Sequence, residues 1–459
     1  MKFNPHQYQK DAVKFLLQNS NGGIFADPGL GKTAIVLSVI DTFRRLRKNT
    51  PWLIVAPLRV CYSVWPAEIK KWDFDLTVNN LHNEPFRKAD IHLINPEGLV
   101  KHLRRYEDAL EWPYWGLCVD ESTRFKSTTS KRTRYLKTVL HRFQKRVILT
   151  GTPTPKSLLD LFAQIYILDL GESLGQYITH YKNKYFYRSG YMNYQWELFP
   201  NSEPFIYQKV NPLVVRIDAS TYLDMPDMIT NNIAVELPTE AREIYTAIEK
   251  DFFAELENGE SITVGSAASK YNALRQVVNG GIFESIDSVF SGDFFHDKPK
   301  RKTHQIHTAK NEAVLELVEG LHGKPVLIAY HYKHDLARLL KLFPKAPFIG
   351  GGQSPKKSDR IVSKWNEGKI PILIGHPQSM AHGLNLQSAG NDIIWYSLTD
   401  NLENYEQFNR RIYRQGVKGQ VRVHRIVAKD TIDKVLIKML NKKASGQNAL
   451  LNALKEYRK

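Results

Sequence analysis

The sequence predicts an α/β protein with two tandem parallel-sheet lobes, and three observations lead to this fold class. Short apolar, β-rich runs alternate with amphipathic helical stretches over about residues 1–170. A second series of the same kind covers about residues 325–440. Most of the strand-like runs are almost continuously apolar, as parallel strands are when helices cover both faces of their sheet. We expect a first lobe at 1–228, with an irregular segment at about 171–228, and a second lobe at 229–459.

Each lobe has five predicted strands. In the first lobe they cover residues 23–26, 53–56, 91–94, 117–119 and 146–149. In the second lobe they cover residues 326–330, 347–349, 372–374, 393–396 and 421–427. Residues 218–232, with Pro226 inside, are predicted to form the crossing between the lobes.

The composition indicates a soluble protein with a polyanionic partner. The net charge is +17, and the stretch 124–146 contains nine Lys or Arg and no acidic residue. Such charge favours phosphate contacts, although a solvated helix face explains a single basic run equally well. No apolar stretch approaches the roughly 18 residues that span a bilayer, and the N-terminus has no apolar signal region. We expect a cytoplasmic protein without a membrane partner, and two buried thiols, Cys61 and Cys118, without a zinc site.

Residues 26–33, A-D-P-G-L-G-K-T, are typical of a phosphate-binding loop between a strand and a helix. Gly29 and Gly31 let backbone amides curl around a polyphosphate, which a side chain would obstruct. Lys32 is then expected to reach the β- and γ-phosphates, and the Thr33 hydroxyl to ligate Mg²⁺. The predicted nucleotide-binding residues of this loop are Asp27, Pro28, Gly29, Leu30, Gly31, Lys32 and Thr33. The first position is Ala26, where glycine is usual.

Two further motifs end apolar strands of the first lobe. Asp120 is predicted to hold Mg²⁺ through water, and Glu121 to polarise the attacking water. The ordinary alternative for such an acidic pair is a turn at the end of a strand. The run L-T-G-T-P at 149–153 either links the nucleotide site to a ligand bound across the lobe or is a plain turn.

The second lobe offers arginines and a polar loop. Arg411 and Arg414 lie three residues apart, on one face of a predicted helix, and arginines delivered to a γ-phosphate stabilise phosphoryl transfer. A solvated face or a salt bridge is the usual role of such a pair in isolation. The loop at 379–387 has the glycine and polar side chains that a nucleic-acid backbone contacts.

The middle of the chain is rich in aromatic residues. Residues 177–207 interleave Tyr, Phe and Trp with Lys182, Lys184 and Arg188, a mixture that suits base stacking beside phosphate contacts. Packing of a subdomain onto the first lobe uses the same residues, and we favour packing. His331 and His334 are interpreted as surface or packing histidines rather than metal ligands, because no third partner is evident.

Taken in chain order, the motifs resemble those of superfamily-two helicase-like motors, specifically Swi/Snf-type DNA translocases. The resemblance covers residues 8 to about 440. Eight motifs carry the resemblance. Those in the first lobe are the Tyr8-Gln9 pair, the D-P-G-L-G-K-T loop, Ala56-Pro57-Leu58 with Trp65, Glu68 and Trp72, the segment Asp120 to Lys126, and L-T-G-T-P. Those in the second lobe are Gly383 to Gln387, Gln407 to Gly416, and Asp430 to Asp433. Thr123 stands where this family usually has histidine.

The resemblance implies two RecA-like lobes, a terminal brace helix, ATP with Mg²⁺, and a short bacterial or bacteriophage form. Gln9 would read adenine, Gly383 would join the nucleotide site, and Lys32, Asp120, Glu121, Arg411 and Arg414 would be catalytic. The resemblance also favours DNA contact over a merely solvated helix face as the role of the basic stretch 124–146. The nucleic-acid contacts that it implies are Pro57, Arg59, Lys126, Lys131, Thr152, Ser379 and Asn385.

The expected function is an ATP-driven, monomeric motor that translocates on double-stranded DNA and remodels DNA or protein–DNA complexes. A strand-separating or fork-remodelling helicase shares the same core, so single-stranded or forked DNA remains open as a partner. An RNA helicase shares the two lobes, but the loop and the arginine motif favour duplex DNA. A non-hydrolysing DNA-binding module is the alternative from another class, and the full set of catalytic residues argues against it.

Overall fold

The computed structural model divides the chain into two compact units, 1–225 and 226–459. It describes residues 3–47, 49–107, 111–151, 153–154, 157–189, 195–222, 226–258, 264–283, 303–380, 384–414 and 416–441. None of the helices in these residues combines the length and the hydropathy needed to cross a bilayer. The two cysteines are buried free thiols, as the sequence predicts.

A seven-stranded sheet, in the order β3-β4-β2-β5-β6-β1-β9, forms the centre of the first unit. Every pairing within it is parallel. Its strands are β1 (Asn21–Ala26), β2 (Trp52–Val55), β3 (Val78–Asn80), β4 (Ile91–Ile94), β5 (Gly116–Asp120), β6 (Lys145–Thr150) and β9 (Val214–Ile217). The five predicted strands are confirmed with shifts of one or two residues at their ends. Sequence reasoning missed β3 and β9, which lie at the two edges of the sheet.

Alternate residues of the strands supply two separate cores. In β2, Leu53 and Val55 join one core while Trp52 and Ile54 join the other. Successive side chains of a strand point to opposite faces, so this division means that both faces of the sheet are covered. The helices of the unit are α1 (Gln7–Gln18), α2 (Lys32–Leu46), α3 (Trp65–Lys71), α4 (Pro96–Leu103), α5 (Lys131–Val139), α6 (Leu161–Asp169), α7 (Ile178–Tyr185), α8 (Ser202–Val210) and α9 (Ala219–Tyr222).

The segment predicted as irregular, about 171–228, contains regular elements. Helices α7 and α8 flank an antiparallel hairpin of β7 (Phe186–Ser189) and β8 (Gln195–Leu198). The chain then returns to the main sheet as β9, beside β1. Tyr181, Tyr185 and Phe186 are buried in the core of the unit, so packing is confirmed for these aromatic residues.

The second unit has a six-stranded parallel sheet in the order β10-β17-β16-β13-β15-β14. Its strands are β10 (Ile229–Val235), β13 (Val326–Ala329), β14 (Phe348–Ile349), β15 (Ile372–Gly375), β16 (Asp392–Trp395) and β17 (Arg422–Ala428). The five predicted strands are again confirmed. The predicted crossing at 218–232 is wrong at its end, because Ile229 already begins the edge strand β10. Its residues are mostly half-buried or exposed, so the strand lacks a continuous apolar signal.

Helices cover this second sheet and form a smaller core beside it. They are α10 (Thr239–Asn258), α11 (Val264–Val278), α12 (Ala309–Gly320), α13 (Lys333–Leu342), α14 (Pro355–Asn366), α15 (Pro377–Met380), α16 (Leu402–Asn409) and α17 (Ile432–Asn441). A short antiparallel pair, β11 (Gly281–Phe283) and β12 (Thr303–Gln305), completes the unit's described elements. Apolar residues of α10, α11 and α17 pack together in one cluster, which ties the predicted terminal brace helix to the middle of the chain.

Candidate active site

The phosphate-binding loop joins the end of β1 to the start of α2, as its pattern predicts. Gly29 and Gly31 have φ angles of 94° and 77°, in the left-handed region that favours glycine. A Cβ atom at Gly31 would also collide with the side-chain amide of Gln9. The loop therefore needs glycine there for both its backbone angle and its neighbour. Its amides precede a 15-residue helix, so they face the end of a helix that stabilises anions.

Lys32 lies within the curve of this loop. Its Nζ donates hydrogen bonds to the carbonyl oxygens of Ala26, at 2.6 Å, and Asp27, at 3.3 Å. The loop is anchored from β9, because the Ile217 carbonyl accepts from the Asp27 amide and the Ala219 amide donates to the Asp27 carboxylate at 3.0 Å. A polyphosphate offers Lys32 charge-assisted bonds, which are stronger than bonds to neutral carbonyl groups.

Gln9 is buried and connects α1 to the loop. Its Oε1 accepts from the His6 amide at 2.9 Å, and its Nε2 donates to the Leu30 carbonyl at 3.1 Å. Next to it, Tyr8 packs against the exposed ring of Tyr222, with the centroids 5.1 Å apart. These contacts place Gln9 beside the phosphate-binding loop, while its reading of adenine stays a prediction.

The acidic pair lies at the same edge of the sheet as the loop. It ends β5, and only β6 separates β5 from β1. The buried Asp120 carboxylate accepts from the Trp65 indole N–H at 3.2 Å and from the Glu121 amide at 3.0 Å. Glu121 itself has a φ of 53°, a strained backbone of the kind that collects at functional sites.

The acidic pair and the phosphate-binding loop also interact electrostatically. Burial, followed by the negative charge of Glu121, raises the pKa of Asp120 to about 6, and the positive charge of Lys32 opposes this rise. The Lys32 ammonium is thus near enough to stabilise the Asp120 carboxylate. A buried carboxylate and the Thr33 hydroxyl, both oxygen ligands, form a donor set that fits Mg²⁺.

The L-T-G-T-P motif at 149–153 packs against the phosphate-binding loop. Gly151 lies so close to Pro28 that an added Cβ atom would stand 3.2 Å from the proline ring. In α6, the fully buried Gln164 accepts from the Ser122 hydroxyl and donates to the Pro153 carbonyl, both at 2.7 Å. One amide thus joins the segment after the acidic pair to the segment after β6. Thr152, a predicted nucleic-acid contact, lies outside the described residues.

Sequence reasoning missed Gln164 as a site residue, although a signal was present. It is the one strongly polar side chain in the run L-F-A-Q-I-Y-I-L, which is apolar on all sides of the helix. A buried amide in such a helix requires hydrogen-bonding partners. The anchoring of Asp27 by Ala219 had no local signal, because the two residues are 192 positions apart.

The two arginines of the second unit converge on one carbonyl group. The Leu384 oxygen accepts from Arg411 at 3.0 Å and from Arg414 at 3.3 Å, and the Leu386 amide donates to the Arg411 carbonyl at 2.9 Å. The prediction that they share a helical face is wrong, because α16 ends at Asn409 and both arginines follow it. Turns after the helix bring the side chains together instead.

The predicted nucleic-acid contacts differ in exposure. Lys131, Ser379 and Asn385 are exposed, and Arg59 is half-buried. Pro57 is buried. Lys126 is half-buried and lies 3.9 Å from the Asp160 carboxylate. Gly383, predicted for the nucleotide site, lies outside the described residues.

Most of the basic stretch 124–146 is used inside the protein. Lys145 and Arg146 are buried and donate to main-chain carbonyl groups of Leu16 and Leu168, respectively. Arg124 and Arg132 pair with Glu97, and the Arg142 guanidinium lies over the Trp112 ring and donates to the Tyr106 carbonyl. Only Lys131 and Arg134 among the nine are exposed. The interpretation of the whole stretch as a DNA contact is therefore too broad.

A phosphate-binding loop and an acidic pair at one edge of a parallel sheet define the fold of a P-loop nucleotide hydrolase. Comparison with models of protein families shows which family of such proteins the chain resembles. The model of the SNF2-related domain matches residues 8–280, and that of the helicase conserved C-terminal domain matches residues 309–416.

Several curated proteins are similar over almost the whole chain. Protein p41 of Acyrthosiphon pisum secondary endosymbiont phage 1 is 36% identical over 99% of both chains. The uncharacterized ATP-dependent helicase MG018 of Mycoplasma genitalium is 25% identical over 96% of this chain and 41% of its own length. The mouse DNA annealing helicase and endonuclease ZRANB3 is 25% identical over 98% of this chain and 41% of its own length. The chain thus spans less than half of the two helicases.

The chain belongs to the SNF2-related family of helicase-like ATPases. The family resemblance predicted from the motifs is confirmed, as are the α/β fold with two parallel-sheet units and the use of ATP.

Proposed function

We propose that this protein hydrolyses ATP with Mg²⁺ and uses the energy to translocate on double-stranded DNA, remodelling DNA or protein–DNA complexes. The observation that carries the proposal is the joining of three motifs at one sheet edge, in a chain whose family match extends from residue 8 to residue 416. The phage relative supports action in the cytoplasm of a bacterium or of a phage-infected host.

In the first unit, each residue of the site has a defined task. Lys32 leaves the loop carbonyl groups and binds the β- and γ-phosphates, and the loop amides hold the remaining phosphate oxygens. Thr33 and Asp120 would hold Mg²⁺, which neutralises phosphate charge when bound. Glu121 orients the attacking water and receives its proton. Trp65 keeps the Asp120 carboxylate in position through its indole N–H.

In the second unit, the arginines couple nucleotide to DNA. Arg411 and Arg414 donate to the Leu384 carbonyl, one residue before the exposed Asn385. In the ATP-bound state that we propose, these guanidinium groups exchange the neutral Leu384 carbonyl for the γ-phosphate, a stronger charge-assisted partner. The exchange releases the segment that carries Asn385. Hydrolysis removes the γ-phosphate and reverses the exchange, so grip on the DNA backbone alternates with the nucleotide state.

The choice of double-stranded DNA is supported by three facts. The net charge of +17 favours a polyanion. The loop and arginine motifs match the Swi/Snf pattern rather than that of RNA helicases. The relative ZRANB3 is described as a DNA annealing helicase and endonuclease.

An ATPase assay without nucleic acid, and with duplex DNA, single-stranded DNA or RNA, tests the proposal. We expect duplex DNA to stimulate hydrolysis most. Lys32→Ala should abolish hydrolysis, and Arg414→Ala should lower the stimulated kcat by about 10³-fold, as loss of an arginine finger does. Displacement of a triplex-forming strand reports translocation directly.

Arg360→Ala, in the second unit but outside the motifs, serves as the matched control and should keep wild-type activity. Full DNA-stimulated hydrolysis by Arg414→Ala would contradict the role of the arginines. A wild-type protein that binds DNA but hydrolyses no ATP would instead favour a non-hydrolysing DNA-binding module.

A further inference from the structure

A π-helical turn lies between Arg59 and Trp65. Helical backbone continues from residue 58 to residue 71, but Val60–Val64 have the wider π pattern, in which each N–H bonds five positions back instead of four. Arg59, a predicted nucleic-acid contact, directly precedes this π turn, and Trp65, whose indole N–H bonds to Asp120, directly follows it. Single π turns within α-helices are rare and often lie at functional sites, so the position of this one between two predicted site regions is informative.

A side chain from the edge strand β3 holds the turn in its π arrangement. The Trp65 amide donates to the Val60 carbonyl, five positions back, whereas an α-helix would direct it to Cys61. The Cys61 carbonyl accepts instead from the side-chain amide of the buried Asn80, at 3.4 Å. Because only the π arrangement leaves this carbonyl in need of a partner, the Asn80 amide favours that arrangement.

The chain on either side of the turn restricts it further. Pro66 has no N–H, so an α arrangement would lack the bond from residue 66 to the Tyr62 carbonyl. Towards β2, the Cys61 amide donates to the Pro57 carbonyl at 3.1 Å, and the Cys61 thiol donates to the Ala56 carbonyl at 3.3 Å. The segment thus has two discrete arrangements, π and α, which differ by one position in the hydrogen bond of the Trp65 amide.

The arrangement of the π turn decides the direction of the Trp65 side chain. Consecutive residues of an α-helix are about 100° apart around its axis, so a change of one position in the hydrogen-bond register rotates Trp65 by an amount of that order. The Trp65 side chain is fully buried, and its indole N–H reaches the Asp120 carboxylate at 3.2 Å. Such a rotation would take the N–H away from the carboxylate. The hydrogen bond therefore depends on the π arrangement.

The Asp120 carboxylate depends on this bond for its orientation. Its Oδ2 accepts from Trp65, and its Oδ1 accepts from the Glu121 amide at 3.0 Å. One donor on each oxygen fixes the plane of the group. Without Trp65 the carboxylate keeps only the bond to its own neighbour, and carboxylates that lose such outer partners hold a metal less well.

We propose that Trp65 is a positioning residue that couples DNA contact at Arg59 to the Asp120 carboxylate, with the π turn as the element that changes register between them. A phosphate bound at Arg59 and an oriented carboxylate favour the same arrangement of the turn, so each strengthens the other, and the coupling is reciprocal. This inference rests on the proposed function, since that function assigns DNA to Arg59 and Mg²⁺ to Asp120.

Titration of a fluorescent ATP analogue that resists hydrolysis, in Mg²⁺ with and without saturating duplex DNA, tests the inference through binding alone. In the wild type, DNA should raise the affinity for the analogue by about fivefold or more. Trp65→Phe keeps an aromatic ring but removes the N–H, so the effect of DNA should fall to about twofold or less. Asn80→Asp keeps the acceptor for the His82 amide, removes the donor to Cys61, and should have the same result with Trp65 intact.

Trp72→Phe is the matched control. The Trp72 indole N–H also donates to a carboxylate, that of Glu68, at 2.5 Å directly after the same helix. This variant should keep the wild-type effect of DNA, and an equal loss in it would overturn the assignment to Trp65. Arg59→Ala should reduce the effect as Trp65→Phe does, and the two changes together should reduce it no further, because they act on one path.

Three results would contradict the inference. The first is an undiminished effect of DNA in Trp65→Phe, and the second is a wild type whose affinity for the analogue does not respond to DNA. The third is an effect of full wild-type size in EDTA, because Asp120 acts on the nucleotide through the metal. If Trp65→Phe does not fold, as urea unfolding would reveal, Asn80→Asp decides by the same measure.

Stimulation of wild-type ATP hydrolysis by duplex DNA separates this inference from the proposed function. No stimulation by any DNA means that the motor function is wrong. Normal stimulation together with undiminished coupling in Trp65→Phe and Asn80→Asp means that only the role of the π turn is wrong.

Discussion

Gln164 shows how one buried side chain can hold two motifs in register. It is fully buried and makes three hydrogen bonds, to the Ser122 hydroxyl and to the carbonyl groups of Pro153 and Asp160, each 2.7 Å long. Ser122 follows the acidic pair directly, and Pro153 follows the β6 motif. Any movement of one motif is therefore passed to the other through this amide, or leaves buried polar groups unpaired.

We expect Gln164→Leu to lower the DNA-stimulated kcat with little change in the KM for ATP. The reason is that leucine fills the space but removes the hydrogen bonds to the Ser122 hydroxyl and the Pro153 carbonyl, at about 1–3 kcal/mol for each buried group left without a partner. Steady-state ATPase kinetics with and without duplex DNA, together with urea unfolding, measure both effects. Gln18→Leu, on the exposed side of α1, is the control. Equal basal and stimulated losses would mean that Gln164 is only structural.

At the scale of elements, the first two residues of β6 cap the C-terminal ends of two neighbouring helices. Lys145 donates to the carbonyl groups of Leu16 and Asn19, at the end of α1, and Arg146 donates to that of Leu168, near the end of α6. Burial lowers the pKa of Lys145 to about 8. Cations at helix C-termini are stabilised by the helix dipole, which makes these two residues caps rather than surface charges.

The packing of α4 predicts a pH dependence of stability. Burial, with a smaller effect of the Arg105 charge, lowers the pKa of His102 to about 4 from 6.5, and its ring bonds to the Tyr114 hydroxyl. Because the folded-state pKa is depressed, the contribution of His102 to stability is present above about pH 6.5 and is lost as the pH falls toward 4. At pH 5 the loss amounts to about 2 kcal/mol.

Urea unfolding at pH 7.5 and pH 5.0 measures this loss. His102→Gln keeps a hydrogen-bonding group but does not titrate, so its free energy of unfolding should fall by about 2 kcal/mol less than that of the wild type between the two pH values. The same fall in both proteins would show that other groups account for the acid sensitivity.

For the whole molecule, the net charge is distributed between structural and solvent-facing cations. The excess of positive charge is large, yet most of the densest basic stretch is engaged in carbonyl, carboxylate or aromatic contacts. Its exposed members, Lys131 and Arg134, lie in the first two turns of α5. Net charge alone therefore overstates how many of these cations are free for DNA.

We expect Lys131→Ala with Arg134→Ala to weaken duplex binding and to reduce its salt dependence. Each lost phosphate contact should lower the slope of log affinity against log salt by about 0.9. Binding isotherms at several salt concentrations give this slope. Lys10→Ala with Lys14→Ala makes the same change in charge on the exposed side of α1 and should leave the slope almost unchanged. Identical slopes for the two double variants would exclude α5 from the contact.

The sequence by itself determined the fold class, ten of the strands, the phosphate-binding loop, the acidic pair and the family. These features depend on neighbouring residues: apolar runs for buried parallel strands, and two glycines followed by a lysine for a loop around phosphate. A short local pattern carries each of them, so no knowledge of distant contacts is needed.

Only the tertiary structure decided what surrounds these motifs. It placed Gln164 between two motifs, brought Arg411 and Arg414 to one carbonyl after the end of a helix, and buried Lys145 and Arg146 as caps. It also made Ile229–Val235 an edge strand through its pairing with β17, about 190 residues later. The physical reason is common to all: burial and hydrogen-bond partners come from residues far apart in the chain, and a charge or an amide carries no local sign of whether it faces solvent or a partner.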